Sequence, residues 1–293
     1  MKGDARPTAL LAALGAIAVL AGACSSPDGK LENANALRHQ GRPQEALAAY
    51  REILGELGDG TIPKWETGVR LKALQYSADI SYLDLGDYLG AIAYYRRIVS
   101  LHPGSDEAWR ARAAIGDIYA QRLGDRRAAI TQYATVAQGD SKDAPRFQLL
   151  VARQYLELKN FEQARTEARI LRERWPQSPE ADDAQLLTAQ AWSLEDRPEE
   201  ALGAFQAAVD RRPRPEIAAL ALEGAAQIQA RAGRFDKAIE LYTQAMPGHP
   251  NPDALRTNID KVRERREAAK TVTPGDRDAA LDHNVRGRTK EIP

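Results

Sequence analysis

The chain has 293 residues, 41 of them Lys or Arg and 41 Asp or Glu, so its formal net charge is zero. A balanced charge gives no general attraction to nucleic acid or to anionic lipid, and the 28% charged content reads as a solvated helical surface. The single cysteine, Cys24, excludes a disulfide framework and any cluster of thiolate metal ligands.

At the N-terminus, Lys2 and Arg6 precede residues 8–23 (TALLAALGAIAVLAGA), which are apolar or small without a break. That run is shorter than the roughly 20 residues a helix needs to cross a bilayer, and no later stretch is long enough. A basic start, an apolar middle and a small-residue end predict an export signal over 1–23. The small residues Ala21, Gly22 and Ala23 run into Cys24, and this arrangement resembles the lipobox of bacterial lipoproteins. The resemblance implies cleavage before Cys24 and acylation of its thiol by a fatty acid such as palmitate. Ser25, where an inner-membrane retention signal would have Asp, then points to the periplasmic, inner leaflet of an outer membrane. Without residues 1–23 the chain carries 39 basic and 40 acidic residues.

After a short tether, residues 24–30, the chain repeats itself. Residues 152–176, 189–213 and 226–250 align without gaps, with Ala164, Ala201 and Ala238 37 apart and Pro176, Pro213 and Pro250 in the same step. Residues 79–103 keep the same spacing from Ala91 to Pro103. Two further units centre on Ala46 and Tyr50 (41–54) and on Ala129 and Tyr133 (115–136), the latter with one extra residue in its turn. A small residue early in the second helix permits close approach. The large residue four places on (Tyr50, Tyr95, Tyr133, Phe205, Tyr242) shares its face and fills the gap to the neighbouring unit. Glycine at 41, 86, 124 and 233 suits a left-handed helix end, and the prolines stop the second helix. Lys159 and Asp196 replace the turn glycine in two units, and Ala168 replaces the aromatic residue in one.

The pattern resembles the tetratricopeptide repeat and predicts an all-α, right-handed superhelical solenoid of about six helix-turn-helix units over residues 31–250. Asn251-Pro252 starts a further helix over 251–270, with Leu255, Ile259 and Val262 in one apolar stripe, which suits a capping helix. Residues 271–293 lack an apolar face and are expected to be a disordered tail.

No catalytic motif stands out. The four histidines, His39, His102, His249 and His283, are dispersed, and His102 and His249 precede repeat prolines at a packing position. The acidic pairs Asp182-Asp183 and Glu199-Glu200 sit at helix starts, where they suit the dipole. The arginine clusters 126–127, 211–212 and 263–266 lie among acidic residues and give no reason to expect nucleic acid. The expectation is a protein that is not an enzyme and needs no cofactor or metal.

Stacked helical hairpins present an extended recognition groove for envelope proteins or peptides. The repeat alignment places Arg110 and Asp117, Arg146 and Arg153, Asp183 and Gln190, and Glu223 and Gln227 on it. The segments LHPGSDEAWRARAAIGDIY and RWPQSPEADDAQLLTAQAW resemble the BamD-type lipoproteins of outer-membrane barrel assembly and the CpoB-type periplasmic repeat proteins. The architecture is also similar to the pilotin lipoproteins of type IV pilus secretins. These resemblances imply a lipid-anchored scaffold in outer-membrane protein or secretin assembly. A cell-wall-associated ligand-binding or enzymatic lipoprotein is the alternative.

Overall fold

The computed structural model describes residues 26–58, 60 and 64–271. The expected signal, Cys24 and residues 272–293 of the expected tail lie outside the described residues. Among the described residues the secondary structure is helical throughout, with thirteen α-helices. By internal contacts the chain forms two compact units, Met1–Ala144 and Pro145–Pro293, divided just after the polar stretch Gly139-Asp140-Ser141-Lys142-Asp143.

The first unit holds three antiparallel pairs: α1 (Pro27–His39) with α2 (Pro43–Leu57), α3 (Lys64–Asp79) with α4 (Tyr88–Leu101), and α5 (Asp106–Ile118) with α6 (Arg126–Gln138). Residues 27–30, expected in the tether, are instead the first turn of α1. The Ser26 hydroxyl accepts from the Gly29 N–H at 3.1 Å, and Pro27 occupies the start of the helix, where its missing N–H is no loss. The third pair, in whose turn one extra residue was expected, has a π-helical turn, Tyr119–Leu123, between α5 and the left-handed Gly124. A second such turn, Ile80–Asp84, follows α3.

The second unit holds α7 (Ala144–Glu157) with α8 (Phe161–Arg174), α9 (Glu180–Leu194) with α10 (Pro198–Asp210), and α11 (Pro215–Arg231) with α12 (Phe235–Ala245). Helix α13 (Pro252–Thr271) closes it and takes in Thr271, which was expected in the tail. Asn251 accepts from the Ala254 N–H at 3.1 Å, and Leu255, Ile259 and Val262 are buried against α11 and α12. The opposite face of α13 is charged and exposed, so the stack ends without leaving an apolar surface open.

The repeat markers acquire physical roles. Ala46, Ala91, Ala129, Ala164, Ala201 and Ala238 are all 0% exposed, which leaves no room for a larger side chain at any of the six crossings. All six inter-helix turns adopt the same left-handed conformation, whether the residue is glycine (φ 66–74° at 41, 86, 124 and 233), Lys159 (57°) or Asp196 (59°). Substitution of glycine therefore kept the turn and added steric cost to it.

The large residue of the second helix works within its own repeat as well as towards the next. The Tyr50, Tyr95 and Tyr133 hydroxyls donate to Asn35, Asp79 (2.8 Å) and Asp117 (2.6 Å) of the partnering first helix. In the fourth and fifth repeats the second-helix residue is Ala168 or Phe205, with no hydroxyl. The first-helix residue sixteen places earlier is then Ala152 or Ala189. Tyr242 stands sixteen places after Ala226, and burial together with the nearby Glu223 carboxylate holds its phenol above the usual tyrosine range.

Candidate protein-binding groove

In the second unit the first helices of successive pairs, α7, α9 and α11, line a groove of two adjoining hollows. The larger, about 530 Å³, has a floor of Leu156, Leu186, Leu187, Ile217 and Leu220 and a rim that includes Arg153, Asp183, Gln190 and Arg214. The smaller, about 320 Å³, shares Leu156, Gln190 and Leu220, and adds Leu194, Phe205, Glu223, Gln227 and Arg231. An apolar floor with a few polar groups at the edge is the usual form of a binding site.

Polar order at the rim is local. Arg153 (3.3 Å), on α7, and Arg214 (2.7 Å), the residue that precedes α11, both hydrogen-bond to Asp183, and Arg211 holds the neighbouring Asp182 at 2.9 Å. Burial nevertheless holds the Asp183 carboxyl above its ordinary value, against the pull of the two guanidinium groups. Glu223 accepts from Gln227 at 3.2 Å and lies 3.0 Å from His249 Nε2. The Asn251 N–H donates to His249 Nδ1 at 3.0 Å, so the other ring nitrogen carries the proton that faces Glu223. His249 is thus a packed helix-end residue that also fixes one wall of the groove.

Of the eight expected groove residues, five converge here: Arg153, Asp183, Gln190, Glu223 and Gln227. Three do not. Arg110 lines a separate hollow of about 110 Å³ in the first unit with Asp79, Tyr95 and Glu107, and pairs with Glu107 at 3.0 Å. Asp117 is taken up by the Tyr133 hydroxyl and serves packing. The Arg146 guanidinium lies 5.6 Å over the Phe147 ring and lines neither hollow of the groove.

The apolar floor was missed. Its clearest trace is Leu194, 61% exposed at the end of α9. At the same distance before the marker alanine the other repeats have His39, Asp84, Arg122, Glu157 and Arg231. A second trace is Gly224, where the fourth and fifth repeats carry Leu150 and Leu187. A Cβ there would lie 2.3 Å from Phe205 Cζ, so the missing side chain is what admits the Phe205 ring to the groove.

Two profiles described as tetratricopeptide repeat match the chain, one over residues 118–179, 149–216 and 195–251 and the other over 71–115, together more than half of it. The chain belongs to the tetratricopeptide repeat family. This tetratricopeptide repeat protein is accordingly built as a protein-interaction scaffold, a fold used for recognition and not in itself catalytic. No curated sequence matches it. Among solved structures it is similar to PilW, described as a widely conserved type IV pilus biogenesis factor (18% identity, 80% of this chain and 98% of that one, TM-score 0.47). It is also similar to PilF of Pseudomonas aeruginosa (18%, 74% and 89%, TM-score 0.47). A third is YrrB, described as having an unusual peptide-binding site (16%, 73% and 98%, TM-score 0.47). At these identities the likeness is one of fold alone. Among the described residues no group of three or more His, Cys, Asp or Glu side chains could hold a metal ion, and no helix is long and apolar enough to cross a membrane.

Proposed function

We propose that the protein is a lipid-anchored adaptor of the bacterial cell envelope that holds a partner segment in the groove formed by α7, α9 and α11. The observation that carries the groove is Leu194, an exposed leucine where five other repeats have an ionisable residue, set beside Leu156, Leu220 and Phe205. Bound apolar side chains would cover that floor. The mixed signs of Arg153, Asp183, Arg214, Glu223 and Arg231 suit a segment bearing both charges. The anchor rests on the lipobox resemblance at Cys24, with Ser25 directing the protein to the inner leaflet of an outer membrane. Outer-membrane barrel or secretin assembly is the setting that fits such an adaptor.

Two readouts test this reading. A Cys24→Ala chain is expected to lose fatty-acid labelling and to leave the membrane fraction. Leu194→Arg restores the residue type of Arg122 and Arg231, so it is expected to fold and stay anchored while its co-purifying partner is lost. Retention of the partner by Leu194→Arg would remove the groove from the account. Continued membrane association of Cys24→Ala without acylation would remove the anchor.

A further inference from the structure

The groove of the second unit opens beside the last turns of α13. Arg266 of α13 bonds to Asp236 at 2.6 Å, and the Arg265 guanidinium lies 5.5 Å from the Phe235 ring centre, so these turns run beside the start of α12. Arg231, the last residue of α11 and a wall of the smaller hollow, precedes that start by four residues. The chain beyond Thr271 therefore leaves the unit at the end of the groove that holds Arg231 and Leu194.

Two opposite charges on that wall are not neutralised. Arg231 is exposed and makes no ion pair with a described residue. Glu223, eight residues or about 12 Å earlier on α11, bonds to the Gln227 amide and to His249 in the tautomer whose Nδ1 accepts from Asn251, and neither brings a positive charge.

The sequence beyond α13 repeats this spacing with the signs exchanged. After Thr273-Pro274-Gly275, a turn sequence, Asp278 and Arg286 stand eight residues apart. On a helix they lie on the same half of the surface as Leu281 and Val285, which are four apart. Run antiparallel to α11, such a helix sets Asp278 against Arg231, Arg286 against Glu223, and the two apolar side chains against the floor of Leu194, Leu220 and Phe205. Acids lead within 276–290 (Asp276, Asp278, Asp282) and bases follow (Arg286, Arg288, Lys290), with Arg277 the exception.

On the reading of the groove as a binding site, we propose that residues 276–290 of the same chain dock in its smaller hollow and compete there with the partner. The segment has no continuous apolar face with which to fold alone, and the groove floor supplies the surface that Leu281 and Val285 lack. The six residues 272–277 reach about 20 Å when extended. A tether that short gives an effective concentration on the order of 1 mM, so a contact with an intrinsic Kd of about 0.1 mM weakens an incoming segment about tenfold.

The test uses the purified full chain, with no other protein present and benzoyl-phenylalanine at Gln227, midway between Glu223 and Arg231. Irradiation is expected to link position 227 to the tryptic peptide 278–286 of the same molecule, as a mixture of light and nitrogen-15 chains distinguishes. Arg231→Glu installs the residue that the fourth repeat has there, Glu157, so its folding is not in question. It is expected to abolish the link, and Asp278→Arg in the same chain to restore it. No link to 272–293 would overturn the proposal. So would a link only between light and heavy chains, which would assign the segment to a second copy. A fluorescein-labelled peptide of residues 276–290 is expected to bind the full chain about tenfold more tightly once that chain carries Leu281→Glu with Val285→Glu, and equal affinities would overturn the docking. Loss of the link while partner capture stays sensitive to Leu194→Arg strikes the docking and leaves the adaptor; a link with no partner captured does the reverse.

Discussion

Asp117 and Tyr133 form one interaction that can be dissected. The phenol is 1% exposed and donates to the carboxylate at 2.6 Å, a short charge-assisted bond. Tyr133→Phe removes the donor and leaves an acceptor that water can still reach from the half-buried side of Asp117; the cost is about 1.5–3 kcal/mol. Asp117→Ala leaves a buried hydroxyl without its acceptor, at about 1–3 kcal/mol. The double variant removes both groups and creates the pairing of Phe205 with Ala189 found two repeats later. It is expected to lie close to the single variants, giving a coupling energy of about 1.5 kcal/mol or more in a double-mutant cycle. Urea unfolding followed by far-ultraviolet circular dichroism measures all four proteins, with unchanged slope required for the comparison. Additivity of the two changes within about 0.5 kcal/mol would refute the reasoning. It would return Asp117 to the groove as an unengaged residue.

Other outcomes follow from the same geometry. Lys159→Gly and Asp196→Gly relieve left-handed backbone at φ 57° and 59° and should each raise stability by about 0.5–1 kcal/mol in thermal unfolding, whereas alanine at either place should not. Gly224→Leu, the residue of the fifth repeat, must displace the Phe205 ring and should destabilise by roughly 1–3 kcal/mol while filling the smaller hollow, measurable by the same unfolding assay. Burial pushes the Tyr50 phenol from 10.0 up to about 12. The neutral phenol is the form the fold favours, so its stabilisation is complete below the ordinary value and is lost as pH rises from 10.0 to about 12. A stability profile over that range should be flatter in Tyr50→Phe than in the wild type.

Much of the architecture was legible because the marker residues act through short-range sterics. An alanine at a helix crossing and a proline after a helix constrain the backbone whatever surrounds them, so their spacing of 12 carries over into helix pairs. The turns were legible even where glycine was missing, since Lys159 and Asp196 occupy the same left-handed position that the alignment assigns them. The groove was legible only in part. Repeat alignment finds which residues share a face, and it placed Arg153, Asp183 and Gln190 together. It does not reveal that Tyr133 claims Asp117 from the partnering helix, or that the guanidinium of Arg146 lies over the ring of its own neighbour Phe147, because those depend on side-chain conformation and partners that the repeat alignment does not carry. The apolar floor was hidden for a related reason. Leucine in a helix reads as core until the repeats are compared at a single position, where Leu194 stands against His39, Asp84, Arg122, Glu157 and Arg231.

The most direct test of the scaffold account is photo-crosslinking in living cells from benzoyl-phenylalanine placed at Gln190, which both hollows share. The account predicts a discrete protein adduct that disappears when Leu194→Arg is introduced into the same chain. No protein adduct from that position, or one unchanged by Leu194→Arg, would contradict it.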